Sequence, residues 1–285
     1  LQEQVHLVLT SPPYPVRNGR AYGDIRECDY IDWLCGVLEP FIDKLVDGGS
    51  LALNISNDVF EPGKPSRSRY RERLVIALAD RFGLHKMDEI IWHNPSKPPG
   101  PIQWASKNRF QLNVAYEPIY WFCNNPEKCI SDNRRVLEPH TDRQRRLIAQ
   151  GGTRRNAEYA DGAYKLRPGD FGNPTSGRIP RNVMTVGHSC PSQRHYKRLA
   201  DEYGLPAHGA PLPLALAQKI IRVLSRPGDL VADPMAGSLT TGEAAETAGR
   251  RWICAEQYAE YVVGGFLRFG AENIEWVHPA LSSNF

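Results

Sequence analysis

Val5-His6-Leu7-Val8-Leu9-Thr10-Ser11-Pro12-Pro13-Tyr14 is an apolar run that ends in a hydroxyl, two prolines and an aromatic ring. A short apolar run closed by a turn signal reads as a buried strand, here Val5–Thr10. Proline fixes its own φ and pushes the preceding residue toward extended geometry, so Ser11 and Pro12 are both restrained. Their oxygens therefore face a set direction. Tyr14 adds a flat apolar surface with a polar tip. Such a turn suits a planar ring bearing an exocyclic amine, with the ring on Tyr14 and the amine protons at the Ser11 hydroxyl and the Pro12 carbonyl. The same residues also fit a plain proline-rich turn, and the tetrapeptide alone leaves both readings open.

Outward from this strand, strands and helices alternate. The spacing predicts a helix over Tyr30–Val46 that stops at Asp47-Gly48-Gly49, then a strand over Ser50–Ile55. A helix over Arg71–Phe82 closed by Gly83 follows, with strands over Met87–Trp92 and Val114–Phe122. From Ser131 to Gly204 the texture changes to Gly, Pro, Asn and Arg with weak periodicity, which reads as loops and short elements. The alternation then resumes with helices over Leu212–Leu224, Thr241–Thr247 and Tyr258–Phe269 and strands over Leu230–Ala232 and Trp252–Ala255. This order predicts an α/β fold with a doubly wound, mostly parallel sheet.

The chain has 285 residues, enough for one large α/β domain with an insertion or for two domains. It has no apolar run of about 18 residues, so no membrane span is expected, and no signal pattern. It opens almost directly on a strand, and further residues are expected to precede Leu1. The six cysteines are scattered with no Cys-x-x-Cys pair, and the eight histidines do not cluster with them. No metal site and no secreted disulfide framework are expected, and a reducing cytoplasm fits best. Net charge is +3, but Arg134–Arg198 holds fourteen Lys or Arg against five Asp or Glu, a local excess of nine positive charges. A basic middle on an acidic body is the footprint of a nucleic-acid-binding segment; a solvated basic face is the other reading.

A second turn, Asp233-Pro234-Met235-Ala236-Gly237-Ser238-Leu239-Thr240-Thr241-Gly242, follows a late strand and leads into a helix. Ligands of doubly wound sheets bind at such strand ends. Gly237 lets a ligand approach the backbone. Ser238, Thr240 and Thr241 are candidate caps of a helix start that favours an anion. The stretch lacks the dinucleotide glycine pattern and the P-loop lysine, so a small carboxylate suits it better than a polyphosphate. Glu256 ends the next strand, where a carboxylate can hold ribose hydroxyls. A ligand with a carboxylate, a ribose and an adenine is S-adenosylmethionine. A glycine turn plus a surface glutamate is the plainer alternative.

The two motifs together resemble the DNA amino-methyltransferases. The order, with Ser11-Pro12-Pro13-Tyr14 first and Asp233–Gly242 last, resembles the β class of that family, and the serine resembles its cytosine-N4 members. Asp47-Gly48-Gly49-Ser50-Leu51, Ile91-Trp92-His93-Asn94-Pro95 and Tyr116-Glu117-Pro118-Ile119 resemble further family segments. His208-Gly209-Ala210-Pro211-Leu212-Pro213 resembles the segment leading into the cofactor pocket. The resemblance covers about Val5–Ile130 and His208–Glu256. Met235 stands where the family usually has Phe, and Leu239 where it often has Gly. The family's acidic segment before the catalytic strand does not appear in this sequence.

The resemblance implies a Rossmann-like methyltransferase fold in three parts: a catalytic half over 1–130, a basic target-recognition region over 131–207 and a cofactor-binding half over 208–285. It implies site-specific methyl transfer from S-adenosylmethionine to the N4 amine of a flipped cytosine. Ser11, Pro12, Pro13 and Tyr14 would be catalytic, and Asp233, Pro234, Met235, Gly237, Ser238, Thr240, Thr241, Glu256, His208 and Pro213 would bind the cofactor. Arg134, Arg135, Arg154, Arg155, Arg178 and Arg181 are the DNA-contact candidates. Asn18, Arg20 and Tyr22 form a candidate loop over the base, and equally an exposed loop. Trp92, Trp104, Tyr116, Tyr120 and Trp121 read first as core. No Pro-Cys nucleophile is present, and Cys190, which precedes a proline, reads as incidental; this disfavours carbon-5 methylation. The expected setting is the cytoplasm of a prokaryotic cell, with double-stranded DNA in the nucleoid as substrate and a cognate restriction endonuclease acting separately. An adenine-N6 enzyme and a DNA-binding module without catalysis are the competing readings.

Overall fold

The computed structural model describes residues 2–15 and 25–269. The candidate loop residues Asn18, Arg20 and Tyr22 lie outside the described residues. The chain divides into two compact units, Leu1–Ser131 with Asn182–Phe285, and Asp132–Arg181.

In chain order the larger unit holds β1 (Val5–Thr10), α1 (Glu27–Ile42), β2 (Leu45–Asn54), α2 (Tyr70–Phe82), β3 (His85–His93) and β4 (Tyr116–Cys123). The smaller unit contributes α3 (Asp142–Ala149) and the hairpin β5 (Ala157–Tyr159) and β6 (Tyr164–Leu166). The larger unit then resumes with β7 (Val183–Thr185), α4 (Pro191–Glu202), α5 (Leu214–Leu224), β8 (Leu230–Asp233), α6 (Thr240–Thr247), β9 (Arg251–Cys254) and α7 (Ala259–Phe266). Its sheet runs β7-β3-β4-β2-β1-β8-β9. Among the described strands of that sheet, only β4 runs antiparallel to the others.

Period-two alternation sends successive strand residues to opposite faces. Val8, Leu51 and Leu53 pack with Leu34 and Leu38 of α1 and Leu74 and Leu78 of α2. Leu7, Leu9 and Ala52 pack on the other face with Leu216, Ile220 and Leu224 of α5 and Ala244 of α6. Helices on both faces explain why β1 is apolar on both faces apart from His6 and its last residue, Thr10. This is the expected doubly wound, mostly parallel α/β sheet. No helix of the described residues is long and apolar enough to cross a membrane.

Two expectations need correction. The first helix ends at Ile42, and the strand that follows begins at Leu45, which pairs with Val5. Asp47-Gly48-Gly49 is therefore not a helix stop but an irregular stretch inside β2. Gly48 is required there because its φ is +83° and a Cβ would fall 1.9 Å from the Lys128 carbonyl oxygen. The stretch before Gly204 contains the 12-residue helix α4, whose sequence carries few apolar side chains to reveal it. Beyond the smaller unit, β7 pairs with β3, and residues 182–207 group with the larger unit.

Candidate active site

The two sequence motifs meet because β1 and β8 are neighbours in the sheet. Val8 pairs with Ala232, so Ser11 and Asp233 follow adjacent parallel strands, about 4.8 Å apart. On the other side Thr10 pairs with Leu53, which sets Asn54 beside Ser11. Antiparallel β4 brings its first residues to the same end of the sheet, with Ile119 opposite Asn54.

Ser11 Oγ donates to Asn54 Oδ1 at 3.1 Å. Asn54 is buried and its Nδ2 donates to the Pro118 carbonyl at 3.3 Å, which fixes the orientation of the amide. The Ser11 proton therefore points at Asn54, and the Ser11 oxygen is left as an acceptor. The Tyr14 hydroxyl lies 3.4 Å from the same Asn54 oxygen and donates to Glu117 Oε2 at 3.1 Å. Lys97 Nζ holds the other Glu117 oxygen at 2.7 Å. Burial, with the Glu117 charge second, pushes the Tyr14 phenol well above its ordinary range, so it stays a proton donor. Pro12 is buried and Pro13 half-buried, so the turn is anchored.

The second turn is braced from within. Asp233 is buried; its Oδ1 accepts the Met235 N–H at 3.0 Å and its Oδ2 accepts the Thr241 hydroxyl at 2.6 Å. Burial raises its carboxyl to about 6, so it is ionised at neutral pH. Glu256 Oε2 accepts the Gly237 N–H at 2.8 Å and its Oε1 accepts the Tyr258 N–H at 3.1 Å. Gly237 has φ +52°, and a Cβ there would meet His208 Nε2 at 3.1 Å. Burial drops the His208 imidazole to about 4, so it is neutral against the turn. Pro213 is the N-cap residue of α5, and Pro234 is buried between Asp233 and Met235. Met235 packs, half-buried, on the same core cluster as Tyr14.

The expected hydroxyl caps are not formed. Thr241 is engaged by Asp233, and Ser238 bonds Thr240 at 3.3 Å and receives Arg268 Nη2 at 3.3 Å. The N-cap of α6 is Leu239, with φ +57° and no side-chain cap. Leu239 thus gives the start of α6 no side-chain cap; the Gly242 N–H faces the Cys254 sulfur, and the N–H groups before it suit a carboxylate. A positive-φ glycine turn, a helix start with no hydroxyl cap and a carboxylate at the next strand end fit S-adenosylmethionine.

A left-handed leucine costs about 1–2 kcal/mol, but full burial of its side chain returns about 1.5–3 kcal/mol. Leu239 is 2% exposed and lies where a Cβ on Gly265 of α7 would come within 2.6 Å of its Cγ. Gly265→Ala is therefore expected to destabilise the protein by about 1–3 kcal/mol through overpacking. The double variant with Leu239→Gly should regain part of that loss in thermal unfolding.

Several participants carry no mark in the sequence. Asn54 is the last residue of an ordinary strand, Lys97 stands in the loop after β3, and Glu117 lies within the Tyr116–Ile119 segment. Arg268 is 1% exposed, pairs with Glu243 at 2.6 Å, donates to Ser192 at 2.7 Å and stacks over Tyr196 at 4.5 Å. The Tyr196 hydroxyl in turn accepts the His208 N–H at 2.9 Å. Helix α4 thus supports the turn from behind, and Cys190 is only its N-cap residue. The aromatic group divides: Trp92 and Tyr120 are core, Trp121 packs half-buried beside it, and Trp104 stacks on Phe110. Tyr116 is 41% exposed.

In the smaller unit, Arg134 is held by Asp132 at 2.8 Å and Arg178 pairs with Glu138. Arg154, Arg155 and Arg181 are exposed, and Arg135 is half-buried. Eleven Lys or Arg against six Asp or Glu make this unit basic by itself.

A serine-proline turn and a glycine turn on neighbouring strands of one doubly wound sheet fit a Rossmann-like methyltransferase. Comparison with known proteins gives the family: the DNA methylase family N6_N4_Mtase matches residues 5–264, and this chain belongs to it. It is 34% identical to the type II methyltransferase M.PvuII of Proteus hauseri over 95% of this chain and 80% of that protein. It is 27% identical to the DNA adenine methyltransferase YhdJ of Escherichia coli K12 over 93% of this chain and 76% of that protein. Among solved structures, the cytosine-N4-specific PvuII DNA methyltransferase superposes with a TM-score of 0.72 at 30% identity, covering 96% of this chain and 82% of that one.

Proposed function

We propose that this chain is a site-specific DNA methyltransferase that modifies the N4 amine of cytosine, as part of restriction-modification. Its cofactor is S-adenosylmethionine, which supplies the methyl group. The observation that carries this reading is the Ser11 oxygen, fixed as an acceptor by Asn54 on the strand next to the cofactor turn.

An exocyclic amine is a poor nucleophile because its lone pair is delocalised into the ring. Ser11 Oγ and the Pro12 carbonyl accept hydrogen bonds from its two N–H groups, which turns the nitrogen toward tetrahedral geometry, and one of these protons passes to solvent once the nitrogen carries the methyl group. Fixed acceptors meet the positive charge as it develops and need no reorganisation at that moment. Tyr14 stacks on the base, with its hydroxyl tethered by Glu117. Pro13 keeps the turn rigid, so alignment of the two reactants is set in advance. Asp233, Pro234, Met235 and Gly237 shape the cofactor turn, with Ser238, Thr240 and Thr241 behind it. The two Glu256 oxygens each accept one backbone N–H and keep a lone pair for a ribose hydroxyl. His208 and Pro213 close the side of that pocket.

The target amine is paired inside a duplex, so the base must be flipped out. Phosphate contacts from Arg134, Arg135, Arg154, Arg155, Arg178 and Arg181 offset the unstacking. The protein acts on DNA in the cytoplasm, and a cognate endonuclease would be a separate chain.

Mass analysis of nucleosides from DNA treated with enzyme and isotopically labelled cofactor tests this reading. Labelled N4-methylcytosine is expected. N6-methyladenine in its place would overturn the cytosine assignment, and no labelled nucleoside would favour a binding module.

A further inference from the structure

A cavity of about 450 Å³ opens on the larger unit between the segment after β2 and the segment before β4. Its walls include Asn57, Arg71, Gln111, Asn113 and Tyr116. Asn57 lies three residues past Asn54, and Tyr116 directly precedes Glu117, the partner of the Tyr14 hydroxyl. The cavity is therefore at the catalytic end of the sheet, over β2 and β4, whereas the cofactor turn stands over β8 and β9.

We propose that this cavity takes one nucleotide of the DNA strand next to the flipped base, with its phosphate on Arg71 and its base on Tyr116. The inference rests on the DNA-methyltransferase reading. A nucleotide falls within the usual size range of ligand pockets, about 300–1,000 Å³. Arg71 is held in the wall with 16% of its side chain exposed, and its ion-pair contact is a 3.4 Å approach to Glu72, which is itself 56% exposed. A phosphate presents the planar guanidinium with two oxygens, the geometry it matches best. Arg67 does a different job: it bonds the Asn57 carbonyl, pairs with Asp58 at 3.5 Å and stacks over Phe60, so it builds the wall. Arg69 and Arg73 are exposed beside it and extend the positive field. Tyr116 offers a partly exposed ring, and single-stranded nucleotides stack on such rings whatever their sequence. Asn57, Gln111 and Asn113 supply amide donors and acceptors for a base edge.

Two variants, Arg71→Gln and Tyr116→Ala, test this from opposite walls. With unmethylated mixed-sequence duplex DNA and labelled cofactor, each should raise KM for DNA about tenfold. The KM for the cofactor should stay at the wild-type value, which also reports an intact fold. In fluorescence-anisotropy titrations of a random-sequence duplex, Arg71→Gln should lower the slope of log K against log salt by about 0.9, the loss of one phosphate contact. An unchanged KM for DNA in either variant, or an unchanged salt slope in Arg71→Gln, would overturn the proposal. The anisotropy arm needs no methyl transfer, so it stands apart from the nucleoside analysis that tests the activity itself.

Discussion

Ser11→Ala is expected to lower kcat by about 10²–10³-fold, the usual loss when one preorganised hydrogen-bond partner of a reacting centre is removed. Cofactor affinity should stay close to wild type, because Ser11 touches none of the residues that brace the Asp233 turn. The variant removes the oxygen that accepts one amine proton and leaves the Pro12 carbonyl alone to bend the nitrogen. It also leaves Asn54 Oδ1 with Tyr14 as its remaining hydroxyl partner, so the fold loses little. Single-turnover methyl transfer and calorimetry of the cofactor separate the two quantities. Wild-type turnover in this variant would remove Ser11 from the mechanism.

Glu256→Ala acts on the other reactant. The carboxylate accepts two backbone N–H groups, from Gly237 and Tyr258, and charge-assisted bonds of this kind contribute about 1.5–3 kcal/mol each. Its loss frees the glycine turn and removes the acceptor for ribose hydroxyls. Calorimetry should show the cofactor Kd raised by about 10²-fold. Glu256→Gln keeps the shape and one acceptor oxygen, and should fall between the two. If Glu256→Ala binds the cofactor as tightly as wild type, the ribose lies elsewhere.

Both turns could be read in the sequence because each is local. An apolar run meets residues that restrict or free the backbone, and the proximity of the two follows once the sheet is doubly wound. What escaped is non-local. Asn54 looks like the end of any strand until β4 brings Pro118 within reach of its amide. Arg268 looks like a surface residue until α4 and α6 close around it. Asp47-Gly48-Gly49 imitated a helix stop because a positive-φ glycine serves a bulge equally well, and only the Lys128 carbonyl tells them apart. In the basic middle, charge counting ranked the arginines alike, although Arg134 and Arg178 are paired within the unit and Arg154, Arg155 and Arg181 are exposed. The arginines at 67, 69, 71 and 73 were hidden by three acidic residues nearby, at 58, 61 and 72.

The strand order β7-β3-β4-β2-β1-β8-β9 has a consequence for how the protein is born. Among the described strands, β1 to β4 are made before the others and form a block with β3 at one edge and β1 at the other. Strands made later cover both edges, β7 on β3 and β8 on β1. Until then the nascent chain carries two bare edges, the condition under which strands pair with the wrong chain. The Ser11 turn is made with β1, yet the turn for its reactant is made only after β8, so a translation product interrupted between them would be adhesive and inert.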